Sequence, residues 1–345
     1  MTKGRNYGSE RRLFEDEETG AKIVRVSGFP TINHHVYMHS RCFTCDSRDV
    51  VFYSYRQMGR DSQRDIFAAS VDGMNLRQLT DGQGAGWMNC SPVDRSVFYS
   101  CGDTLRKVDV DSFEEKTAAR SPPGLSFGIF SISGDGKKVL SESNVKGEGI
   151  LFAVDLVRES VEEVYRHPGV VGHLQVEPAS SRWAMFTDAH PSKPGGRIWC
   201  IRLDGTDPRM IYEGSHGKPS HLVWWPGHDA AVSTLQHPDP GIIRIGLDGE
   251  VDMITDAQFF WHAGASLDGT MLCSDSFVPD TGMYLVNPNN GACARLCYPR
   301  SNEAHPQWTH PHPSWSPDGK MVVFTSDREG LPHVFVVRVP DELRP

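Results

Sequence analysis

Ser314-Trp315-Ser316-Pro317-Asp318-Gly319, followed by Met321-Val322-Val323-Phe324-Thr325, is the stretch on which the reading of this chain turns. A tight turn ending in Asp-Gly runs directly into apolar and β-branched residues, as one strand folding back into the next would. Close relatives are Ser266-Leu267-Asp268-Gly269 before Met271-Leu272-Cys273, and Ser133-Gly134-Asp135-Gly136 before Lys138-Val139-Leu140. Looser copies stand at Cys45-Asp46-Ser47, Ser91-Pro92-Val93-Asp94, Glu177-Pro178-Ala179-Ser180 and Trp225-Pro226-Gly227-His228. That makes seven units at a spacing of roughly 40 to 50 residues, the period of propeller blades.

The order inside each unit repeats as well. One strand leads into the signature turn, a β-branched or aromatic strand leaves it, and a third precedes a hairpin before a fourth closes the unit. Asp72-Gly73, Asp204-Gly205 and Asp248-Gly249 mark hairpins between third and fourth strands. Four short strands per unit predict an all-β, seven-bladed β-propeller occupying residues 1–345 as a single domain. Residues 1–12 are polar and predict a flexible leading segment. The last unit supplies only three strands, ending with Val334 to Val339, while Thr19 to Val26 reads as an orphan fourth strand. Pairing the two would close the ring and remove two exposed edges.

Composition narrows the function classes. The net charge of −9 is spread along the 345 residues without a like-charge block, which argues against nucleic acid as a partner. No run is long and apolar enough for a membrane helix, and the opening MTKGRNYGSERRLF has no apolar stretch of the kind a secretory leader needs. The eight cysteines lack framework spacing. Cys42 with Cys45, and Cys293 with Cys297, read as small strand residues rather than zinc ligand pairs. A reduced cytoplasmic protein is expected. The sequence leaves the oligomeric state open.

The inner strand of a propeller blade lines the central channel. Four residues ahead of the turn's Ser316 or its equivalent in each unit stand Ser40, Trp87, Ile129, His173, His221, His262 and His312, so four consecutive units carry histidine at one register. Any one of them could be structural; a shared register among only 15 histidines points to a metal or catalytic site. The last unit adds Gln307-Trp308-Thr309-His310-Pro311-His312, where strand alternation would turn both imidazoles to one side. Flanking prolines suggest a shaped mouth instead of a regular ladder. Imidazoles with an amide oxygen suit a transition metal over Mg²⁺ or Ca²⁺.

The segment Gln-x-x-His-x-His at 307–312, with histidines in register in the preceding units, resembles the oligogalacturonate lyases, a pectin-degrading family built on a seven-bladed propeller. The resemblance implies a divalent metal, Mn²⁺ by preference, on His262, Gln307, His310 and His312. It implies that His221 is the catalytic base and that an arginine, best matched by Arg197, assists it. His173 is then expected to touch substrate, as are Arg56 and Arg328. The reaction implied is β-elimination on short oligogalacturonides or related uronates. The proton on C5, α to a carboxylate, is weakly acidic, and a metal on that carboxylate offsets the developing charge. A neutral histidine suits the base, and arginine the carboxylate. The loops bearing Arg56, Arg60, Arg64, Lys146, Lys193, Arg197 and Arg328 would form a basic rim that steers an anionic oligosaccharide.

Two other classes compete. A non-catalytic propeller of the TolB or WD40 kind would share the blade signature but has no use for a histidine ring. A propeller hydrolase would need a Gly-x-Ser-x-Gly elbow, which is missing, or a carboxylate pair such as Asp188 and Glu142.

Overall fold

The computed structural model describes residues 2–56, 63–82, 84–189, 196–214, 216–236, 239–278, 281–302 and 307–343. Seven antiparallel sheets follow one another along the chain among these residues, with no α-helix. From the second sheet to the seventh, each inner strand packs beside the inner strand of the next, and His333–Arg338 packs beside Asn33–His34 to complete the circle. This is a seven-bladed propeller.

The signature turn explains its own composition. In the last copy the Ser316 hydroxyl donates to Asp318 Oδ1 at 2.6 Å, while Ser316 Oγ accepts the Met321 N–H at 3.0 Å. Asp318 also takes the Lys320 N–H, and Gly319 holds φ at 66°, where a side chain would be strained. Ser266, Asp268 and Gly269 repeat the arrangement, as do Ser133, Asp135 and Gly136. The strands that follow, such as Asp49–Ser54 and Met321–Ser326, are buried along their whole length. Their two faces pack into different neighbouring blades, so they read as continuous apolar runs instead of alternating. The core is accordingly divided into clusters between adjacent blades.

In the last blade Lys22–Arg25 pairs antiparallel with His333–Arg338, with Val24 opposite Val336. Arg12–Glu15 adds a fifth strand outside it, so this blade is wider than the expected four. The leading residues differ from expectation too. Gly4 and Tyr7 N–H groups donate to the Gln78 and Leu76 carbonyls at 2.9 and 2.7 Å, and Thr2 bonds Asp81. The segment is therefore held against the outer strand of the first blade by backbone pairing that polarity alone does not reveal.

The first blade departs most from the repeat. Its inner strand is split: Asn33–His34 pairs with Tyr53 and Ser54, and Phe43 bridges to Val50. Between them His35 to Cys42 leaves the sheet, and Tyr37 reaches imidazoles from four other blades.

Candidate metal and catalytic centre

Backbone irregularity puts each histidine where it is. The inner strand Val170–Val176 slips register between Gly172 and Gln175, with His173 at φ 54°. Pro219–Trp224 slips between Pro219 and Leu222, around His221. A bulge frees a side chain from the ladder and re-aims it, here toward the channel. His262 lies just before Ala263–Ala265, and His312 just before Ser314–Trp315 at φ 45°. His310 and His312 do not lie on one alternating strand, as expected; a 3₁₀ turn, Gln307–Thr309, delivers His310, and the left-handed backbone turns His312. Pro311 and Pro313 donate nothing to a ladder, which permits this.

One ligand nitrogen from each of His262, His310 and His312 lies within 4.8 Å of the others, and all three residues are buried. Asp275 fixes His262: its carboxylate receives the His262 backbone N–H at 2.7 Å and Nδ1–H at 2.8 Å. That tautomer leaves Nε2 as a lone-pair donor, and Nε2 is buried without a hydrogen-bond partner. His312 Nε2 is likewise buried and unpartnered. Buried polar atoms of this kind require a partner, and two such atoms in a three-imidazole cluster fit a divalent transition metal. Gln307 stands exposed at the start of the 3₁₀ turn, and its carbonyl accepts the His310 N–H at 3.3 Å.

His221 lies against this group, its ring tilted to that of His262 with centroids 4.1 Å apart. Its Nδ1 faces the Trp261 carbonyl at 2.7 Å, which can only accept, so Nδ1 carries the proton and Nε2 is free to take one. Burial, then the neighbouring imidazoles, hold His221 and His312 well below the usual histidine range. His173 Nδ1 lies 3.1 Å from Thr187 Oγ1, whose own hydrogen goes to Gly172 O.

The structure does not gather every expected residue. Arg197 grips Asp188 through Nε at 3.0 Å and through Nη2, and Asp188 also meets His167 Nε2 at 2.8 Å. Burial works against ionisation of Asp188, but Arg197 and His167 outweigh it and lower its pKa. Arg56 is spent on Glu10, in a two-pronged contact at 2.8 Å, and lies over Tyr7, Phe29 and Phe67. Arg328 packs over Phe14 and Phe335 at the last blade's outer strands. Neither joins the histidines. In the expected rim, Arg64 donates to the Ala85 and Gly86 carbonyls and Lys146 is exposed, while Arg60 and Lys193 lie outside the described residues.

Sequence reasoning missed four residues. Asp275 orients His262, and His35 supports His312 through Nε2–H donated to the His312 carbonyl at 2.8 Å. Tyr37 stands amid the histidines, its ring 4.7 Å from His312 and 5.6 Å from His173. His39 stacks on Trp87. The available signal was the run His34-His35-Val36-Tyr37-Met38-His39, three histidines in six residues just before the first turn.

A propeller whose channel converges on buried imidazoles, with an oriented proton acceptor beside them, has the makings of a metal-assisted enzyme. A family model described as oligogalacturonate lyase matches residues 146–343, and the chain belongs to that family. It is thus a lyase. It is 27% identical to the oligogalacturonide lyase of Pectobacterium atrosepticum, over 99% of this chain and 100% of that one. It is 23% identical to the oligogalacturonate lyase of Dickeya dadantii, over 99% and 100%. A solved oligogalacturonate lyase in complex with manganese superposes with a TM-score of 0.86 at 24% identity, covering 99% of both chains.

Proposed function

We propose that this lyase cleaves short oligogalacturonides by β-elimination at a divalent metal, most naturally Mn²⁺, held by His262, His310, His312 and Gln307. The observation that carries the reading is the three-imidazole cluster with the His221 ring against it. The metal, when bound, supplies positive charge to the substrate carboxylate and so acidifies the neighbouring C5 proton.

His221 is the base. It accepts the C5 proton at Nε2, while the Trp261 carbonyl holds Nδ1–H and steadies the imidazolium that forms. The C4–O bond then breaks, leaving the 4,5-unsaturated uronate; the departing glycosidic oxygen takes a proton from water to become the other product's hydroxyl, and His221 returns its proton to solvent. Arg197, kept cationic and oriented by Asp188, assists by meeting substrate negative charge, and His173 contacts substrate. Arg56 is left out of this proposal because Glu10 holds its guanidinium, and Arg328 because its guanidinium lies over Phe14 and Phe335 at the outer strands. Eight free cysteines are in keeping with a reducing cytoplasm, and no helix among the described residues is long and apolar enough to cross a membrane.

The test is digalacturonate mixed with chelator-stripped protein, with and without Mn²⁺, read by ultraviolet absorbance of the unsaturated product. Product should require metal. His221→Ala should lower turnover by about 10²- to 10⁴-fold while metal affinity changes little. Turnover undiminished in His221→Ala removes it as base; turnover undiminished without metal removes the metal from the reaction.

A further inference from the structure

The channel has a second chamber. A cavity of about 260 Å³ is lined by Ser131, Gln175, Val223, Gly264 and Ser314, each two residues beyond the register position of its unit, and by turn residues such as Pro178 and Pro317. His173, His221, His262 and His312 occupy that register position itself, so the cavity lies further along the inner strands, toward the signature turns. Met38, His39 and Ser40 of the first blade's excursion form part of its wall.

Arg41 also lines this cavity, and its side chain is the feature that calls for a ligand. Nη1 donates to the carbonyl of Ile132, in the third blade's inner strand, at 3.1 Å. Among the described residues Nε and Nη2 have no hydrogen-bond partner, and no carboxylate forms an ion pair with the guanidinium. The nearby acid, Glu177, is used by its own turn: it receives the Ala179 N–H at 2.9 Å, the Ser180 hydroxyl at 2.6 Å and the Ser181 N–H at 3.2 Å. Burial lowers the Arg41 pKa to about 10, against weaker opposing effects of Cys90 and Glu177, so it is still a cation at neutral pH. Arg41 is half-buried, and a guanidinium with two nitrogens left to a cavity and no carboxylate partner favours an anion there, its fork suiting planar or tetrahedral oxyanions. Ser131 can help. Its Oγ accepts the Val176 N–H at 3.0 Å, which leaves the hydroxyl hydrogen to donate.

We propose that this chamber is a binding site for a small oxyanion, seated on Arg41 and separate from the histidine centre. Two sources share that chemistry, a free uronate monosaccharide and inorganic phosphate. The proposal does not depend on which reaction the histidines perform.

Calorimetric titration of the full-length protein with D-galacturonate and with inorganic phosphate, at constant ionic strength, separates the sources. At least one should bind, and Arg41→Gln should weaken it by ~10-fold or more, with Arg41→Lys falling between. Crystals of the unaltered protein soaked in selenate supply a readout that does not depend on the variant folding. Anomalous density against Arg41 supports the site. Equal affinities in wild type and Arg41→Gln, no binding of either anion, or selenate found only elsewhere would overturn it.

Discussion

Blades four to seven and blades one to three build opposite halves of the same channel by different means. On the first half one register presents a histidine in every blade, at a slip in the inner strand for His173 and His221 and just ahead of it for His262 and His312. On the second half the same register holds Ser40, Trp87 and Ile129, and the chemistry enters on an inserted excursion carrying His35, Tyr37 and His39. The repeated half is a ring of lone-pair donors; the inserted half supports and fills it. The difference teaches that a propeller can acquire a site by varying one position across blades, then complete it by lengthening a single strand.

If the repeated half is the metal-binding half, disturbing its support should cost most. Asp275→Asn keeps the shape of the side chain but removes the charge that holds the His262 tautomer. Mn²⁺ affinity, measured calorimetrically, should fall by about 10- to 100-fold. An unchanged affinity would mean that His262 is oriented by packing alone, and the contrast between the halves would lose its physical basis.

The inserted half should show a smaller effect of the same kind. His35 bridges the His312 carbonyl and Thr325 Oγ1, at 2.8 and 2.7 Å, and burial lowers its pKa to about 4, so it is neutral. His35→Phe leaves that carbonyl unpaired and releases the left-handed backbone of His312. Mn²⁺ affinity should drop by roughly tenfold or less, the range of one buried hydrogen bond. His35→Gln, which can still donate to the carbonyl, should recover part of it. Equal loss in both variants would reduce His35 to a packing residue.

The two halves were not equally legible. Blade number and the histidine register could be read because each is a repetition, and the Ser-x-Asp-Gly turn bonds itself locally wherever it occurs. The excursion occurs once, so alignment of the units treats Ser40 as a register position and passes over Tyr37. Asp275 looks like an ordinary strand residue; its role depends on the cross-strand neighbourhood of Leu272–Ser276 with His262. The arginines misled for a related reason. Loop position shows that Arg56 is near a mouth, but only the folded leading segment reveals that Glu10 claims it.

The smallest effect separates two buried carboxyl groups in neighbouring blades. Asp188, in the fourth, is ionised by its pairing with Arg197 and His167. Glu142, in the third, is buried with Oε2 unpartnered, and desolvation raises its pKa from 4.5 to about 8 despite the backbone N–H it accepts. Its folded pKa is the higher one, so its contribution to stability is fully present below 4.5 and is lost as pH rises toward about 8. Across that window the unfolded chain ionises Glu142 freely while the folded chain resists. The melting temperature of the wild type should therefore decline with pH more steeply than that of Glu142→Gln, whose amide cannot ionise. Parallel profiles would mean that Glu142 is charged in the folded protein, and a two-carboxylate reading of the channel would regain its ground.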